Sequence, residues 1–269
     1  MPTTGGLRTK PYGRAGSAQA LGDHVSTFET LEVSVQGAIG HMALARPKRL
    51  NALSRQTLQD LAQASRWFDE QRDVKVVVVS GQGSSFCAGF DLNDFMNPDP
   101  EWGVRESADL GRLMAEAVTN MNALTIAAIQ GNCIGGGVVL AASCDLRIAT
   151  DAANFVIPEV DLGIPLAWGG IPRLVREIGP AATKELVLTC RPFGAQEAKT
   201  LGFINTVVPV GTVMSAAQEL AEQLAAKLVS LSPLPDSRVF LCGSGSEAID
   251  TAMKLARVAH VQAGNPEKT

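Results

Sequence analysis

From about residue 30 the chain alternates apolar and polar side chains in two short runs, LEVSVQ (31–36) and HMALA (41–45). A period of two marks strands, and two such runs ending at Arg46-Pro47 predict a hairpin. After Asn51 the period lengthens to that of a helix, with Leu58, Leu61 and Phe68 on one face, Ser54 as its N-cap and an end near Asp73. VKVVVVSG (74–81) and TIAAIQG (125–131) are nearly unbroken apolar runs, the pattern of strands buried on both faces. The more polar segment between them contains Asn97-Pro98-Asp99-Pro100 and predicts a loop followed by a helix. Leu220, Leu224 and Leu228 fall on one face of a further helix, from about Val213 to Leu231. This order of strands and helices implies an α/β fold with a largely parallel sheet. Three regions result: a leader without periodicity (1–28), expected to be flexible, a core (29–209) and a C-terminal helical region (210–269).

With 269 residues, 46% of them hydrophobic and 19% charged, the chain can bury a sizeable core as one large domain or one domain and an appendage. No apolar run reaches the roughly 18 residues of a membrane span, and the N-terminal stretch lacks the apolar centre of a signal peptide. A cytoplasmic protein with no membrane partner is expected. Five cysteines, scattered through mostly apolar sequence, fit buried reduced thiols better than a disulfide framework. The net charge of -4 weighs against a nucleic-acid surface, although a local basic patch could still hold a phosphorylated small molecule. His24, His41 and His260 have no metal-ligand spacing, so no metal and no permanently bound cofactor is expected.

Two segments share one design, a buried strand that runs into a glycine-bearing turn and then a helix. They are VVVVSGQGSSFCAGFDL (76–92) and AAIQGNCIGGGVVLA (127–141). A helix start leaves N–H groups without internal partners and carries partial positive charge, so such turns hold anions. Two of them converging could grip one oxygen that becomes negative during a reaction. The other reading of the glycines is close packing of helix on strand. Neither segment has the Lys-Ser/Thr of a phosphate loop or the Gly-x-Gly-x-x-Gly of a dinucleotide site.

ARPKRLNAL (45–53), SSFCAGFDL (84–92), GNCIGGGVVLAASCDLRIA (131–149) and IPEVDLGI (157–164) follow one another in the order and spacing of the crotonase superfamily, the enoyl-CoA hydratase/isomerase family. The resemblance runs from about Thr30 to Pro209. It implies a crotonase-like β-β-α spiral core with a C-terminal helical part, an acyl-CoA substrate whose coenzyme A is part of the substrate, and a homo-trimer or dimer of trimers. It also implies that the N–H groups of Phe90 and Gly136 form an oxyanion hole for the thioester enolate. Arg46, Lys48 and Arg49 fall near where relatives hold the nucleotide of coenzyme A, and Ala88 and Gly89 belong to the same coenzyme-binding stretch.

Hydratases of this family use two glutamates. One of the corresponding positions here is Val139, and the other is Glu159. A pair of carboxylates divides general-acid and general-base work, whereas one alone can still carry a proton between two carbons. The resemblance therefore favours one-glutamate isomerisation of 3-enoyl-CoA to 2-enoyl-CoA over hydration. A hydratase with altered acid/base groups and a catalytically weak acyl-CoA-binding protein are the alternatives. Asp161 is the nearest substitute acid, with loop capping as its other reading, and Ala167 stands where dienoyl-CoA isomerases carry an aspartate. Trp168 shapes the acyl pocket or packs in the core. Asp91 and Asp145 are expected to cap or tie turns. Beyond Ser232-Pro233 the likeness fails, and Asp236–His260 instead resembles a fragment of class III aminotransferases, without room for that fold or its lysine.

Overall fold

The computed structural model describes residues 24–97 and 104–231. Its first element, β1 (His24–Thr27), pairs antiparallel with β2 (Leu31–Gln36), so the sheet begins inside the segment expected to be a flexible leader. Four residues are too few to show a strand period, and the open edge of β2 supplies the pairing that orders them. The rest of that leader lies outside the described residues. β2 returns through a two-residue turn, with Gly37 at φ 59°, into β3 (Ile39–Leu44), which is the expected hairpin. One turn of 3-10 helix (Pro47–Arg49) leads to Leu50 and Asn51, both left-handed, and Ser54 then caps α1 (Arg55–Glu70) by accepting the Thr57 N–H at 3.2 Å.

The chain continues through β4 (Val76–Gly81), α2 (Leu92–Met96), α3 (Val104–Thr119), β5 (Leu124–Ile129), β6 (Asn132–Ile134) and α4 (Gly136–Ser143). It ends its described part with β7 (Leu146–Thr150), β8 (Asn154–Val156), α5 (Gly170–Thr189), β9 (Phe193–Gly194), α6 (Ala195–Thr200), β10 (Thr206–Val208) and α7 (Val213–Leu231). Seven strands form one sheet in the order β1-β2-β3-β4-β5-β7-β10, parallel from β3 onward. β6, β8 and β9 form a second, small sheet. Asp145 ties β7 to β5, accepting both the N–H and the hydroxyl of Thr125 at 2.8 Å.

The valine run of β4 serves two cores. Val77 and Val79 join the larger core, with α1, α3 and α4 on that side, while Val76 and Val78 face Ala217 and Ala221 of α7. Side chains alternate across a strand, so a strand covered on both faces must be apolar at every position. The glycine turns lie on the larger-core side, where β4 and β5 hand over to the segments that build the site.

Candidate active site

The first glycine turn is held by residues that come before it in the chain. Asn51, buried in a left-handed conformation, accepts the Arg46 N–H at 3.0 Å and donates to the carbonyls of Gln82 and Ser85, each at 2.8 Å. Arg46 reaches over the same turn, donating to the Ala52 carbonyl at 2.6 Å and pairing with Asp91 at 2.9 Å. Asp91 also caps α2 through the Asn93 N–H, the turn-capping role expected of it. Leu53 donates to the Gly89 carbonyl and accepts from the Asp91 N–H, forming a parallel bridge with Phe90. Amide directions alternate along an extended chain, so the N–H of Phe90 points away from Leu53.

The second turn opens α4. Gly135 is its N-cap at φ 49° and ψ -111°, and Gly136 is the first helical residue, whose N–H has no partner within the helix. The two turns meet: a Cβ added to Gly89 (φ 88°) would lie 2.9 Å from the Ile134 carbonyl oxygen and 3.7 Å from the Gly136 nitrogen. Only glycine allows that approach. The expected oxyanion residues, Phe90 and Gly136, thus lie on two segments in direct contact.

Glu159 joins them from the turn after β8. A Cβ on Gly135 would strike its Oε1, so the bare Cα of this glycine is what admits the carboxylate. Oε2 is buried and has no hydrogen-bond partner among the described residues. Burial pushes the Glu159 carboxyl above the usual glutamate range, against a smaller opposing pull from its own backbone N–H. Val139, in contrast, is buried in the core, its Cγ2 2.9 Å from where a Cβ of Gly170 would stand. Asp161 is exposed. Its segment is a turn, with the Leu162 N–H donating to both the Pro158 and Glu159 carbonyls at 3.1 Å. The residue beyond Glu159 therefore curls outward, and Asp161 is not brought to the site.

Trp168 lies over Gly136. A Cβ there would clash with its Cζ3, stand 3.0 Å from its Cη2 and 3.4 Å from Leu53 Cδ1, while the Phe90 ring meets the indole edge-on at 5.7 Å. Of the residues expected near coenzyme A, Lys48 and Arg49 are exposed on the 3-10 turn, Arg46 is engaged with Asp91, Ala88 is half-buried and Gly89 is buried. Cys87, Cys133, Cys144 and Cys190 are free and buried, and burial raises the Cys87 and Cys144 thiols to about 12, so they are protonated rather than nucleophilic. Asn51 as a clamp, the opening that Gly135 makes for Glu159 and the seat that Gly111 of α3 gives the indole are not among the roles expected from the sequence. A glycine inside a helix costs about 1 kcal/mol, and that cost was the available signal for Gly111.

The enoyl-CoA hydratase/isomerase family model matches residues 34–233. The chain belongs to this family. It is 33% identical over 222 residues to the short-chain-enoyl-CoA hydratase of Clostridium acetobutylicum, covering 81% of this chain and 83% of that protein. It is 36% identical over 197 residues to the peroxisomal Delta(3,5)-Delta(2,4)-dienoyl-CoA isomerase of Arabidopsis thaliana, covering 68% and 71% of the two. A crystal structure from Thermobifida fusca YX, determined in complex with CoA, superposes with a TM-score of 0.70 at 26% identity, covering 87% of this chain and 95% of that one. The fold is thus the crotonase fold of the family. The match runs past Pro209 into α7 and stops short of Asp236–His260. That tail lies outside the described residues, and its aminotransferase likeness is not borne out. No described helix is long and apolar enough to cross a membrane.

Proposed function

We propose that this family member isomerises 3-enoyl-CoA to 2-enoyl-CoA with Glu159 as its one proton shuttle. Ionised Glu159 removes a proton from the carbon next to the thioester carbonyl. The negative charge that develops on the thioester oxygen is held by the N–H groups of Phe90 and Gly136. The enolate electrons then close the 2,3 double bond as the 3,4 pair takes the same proton back at carbon 4. Losing one such N–H donor typically costs about 3 kcal/mol of transition-state stabilisation. In this reading Lys48 and Arg49, both exposed, meet the nucleotide phosphates, and Ala88 and Gly89 line the coenzyme.

The observation that carries this reading is the pairing of one partnerless carboxylate oxygen at Gly135 with an apolar side chain at Val139. Hydration needs a group to orient water as well as one to move a proton, and the second carboxylate is absent from the position where hydratases carry it. Apolar side chains exposed on Val160, Leu162 and Ile171 support assembly into a trimer or a dimer of trimers. The test is a paired assay of the purified protein on 3-enoyl-CoA and 2-enoyl-CoA. Conversion of the first without hydration of the second is expected. Efficient hydration of 2-enoyl-CoA would overturn the one-acid reading, and coenzyme A binding without turnover would make the chain a binding protein.

A further inference from the structure

We infer that Trp168 is a specificity-determining residue that restricts the acyl group to short chains, an inference that rests on the acyl-CoA reading above. Trp168 holds a left-handed backbone, φ 58°, a conformation strained for a bulky residue. The backbone is fastened there by Arg173 of α5, which donates to the carbonyls of Trp168 and Gly169 at 3.2 Å and, across the gap, to the Thr119 hydroxyl of α3 at 3.2 Å. At its other end the indole rests on bare helix backbone. A Cβ at Gly111 would collide with Cε2, Cδ2 and Nε1 of the ring.

The ring thus bridges α3 and the first residue of α4, and it is fixed at its backbone and at its seat, which makes it a wall rather than a swinging lid. The edge of the indole lies against Gly136, beside the place where the thioester oxygen is held in the proposed reaction. Acyl carbons running past Gly136 meet this wall almost at once. Leu53 and the Phe90 ring close the same corner.

An open apolar channel gains about fourfold in affinity for each methylene it buries. The wild-type protein should show no such gain. The test is calorimetric binding of saturated butanoyl-, hexanoyl-, octanoyl- and decanoyl-CoA, which requires no chemistry, to the full chain and to Trp168→Ala and Trp168→Leu. The leucine variant keeps apolar bulk at the site in case the alanine variant fails to fold. For the wild type, affinity should be flat or falling beyond butanoyl. In the variants the octanoyl to butanoyl affinity ratio should rise at least tenfold. An unchanged ratio in a folded variant, or an equal loss at every length, would make Trp168 a packing residue and overturn the inference. A wild-type affinity that climbs steadily with length would overturn it too. Binding of none of these thioesters by the wild type would instead overturn the acyl-CoA reading beneath it, and a length effect in the absence of isomerase turnover would leave the inference standing and remove the reaction.

Discussion

Glu159 is an acid held where an acid is poorly solvated. Its carboxyl is raised by desolvation, so at a pH between its ordinary value and the raised one the folded chain binds more protons than the unfolded chain. Stability therefore falls as the pH climbs through that window, the reverse of a salt-bridged carboxylate. Replacing Glu159 by Gln removes the titration. The variant should melt at a higher temperature than the wild type at neutral pH, and the gap should close in acid, below the ordinary glutamate range. Equal melting temperatures at both pH values would show that the carboxyl is not destabilised by its surroundings. The same shift sets the rate profile: a base works only when ionised, so isomerisation should rise with pH through a pKa above the usual glutamate value. Val139→Glu restores the carboxylate position of the hydratases. Product analysis should then show hydration of 2-enoyl-CoA growing relative to isomerisation, along with a loss of stability, because the new acid is placed in an apolar environment beside Gly170.

At the scale of elements, the site depends on how one loop is clamped. Asn51 bonds three backbone groups of residues 46, 82 and 85, and removing it takes that partner from a buried carbonyl at Ser85 and from half-buried groups at Arg46 and Gln82. Asn51→Ala should lower stability by about 1–3 kcal/mol in urea unfolding, with a larger fractional loss of kcat than of coenzyme A affinity as the Phe90 segment loosens. A stable variant with full activity would show that the Leu53 bridge alone is sufficient. The elements around this clamp are legible in the sequence, although the clamp itself is not. The hairpin, the Ser54 cap, the valine strand and both glycine turns were readable because their periods and caps are local. β1, the small sheet of two- and three-residue strands and the curl at Pro158–Ile164 were not, because elements that short carry no period and are set by distant partners. The left-handed Trp168 and its seat at Gly111 were hidden for the same reason: the two residues are far apart in the chain and only packing joins them.

For the whole molecule, the sheet separates two cores, and the site belongs to one of them. Ala217, Ala221 and Ala225 of α7 let that helix lie close on the opposite face. Ala221→Leu overpacks this seam and should cost about 1–3 kcal/mol of stability while leaving the KM for 3-enoyl-CoA unchanged. A changed KM would mean that strain passes through the sheet to the glycine turns. The proposed chemistry rests on one carboxylate. The most direct measurement is the 3-enoyl-CoA isomerisation rate of Glu159→Gln beside the wild type, with coenzyme A thioester affinity measured on the same samples. The predicted result is a rate loss of about 10²- to 10⁴-fold with affinity preserved. Isomerisation at the wild-type rate in a folded Glu159→Gln protein would contradict it.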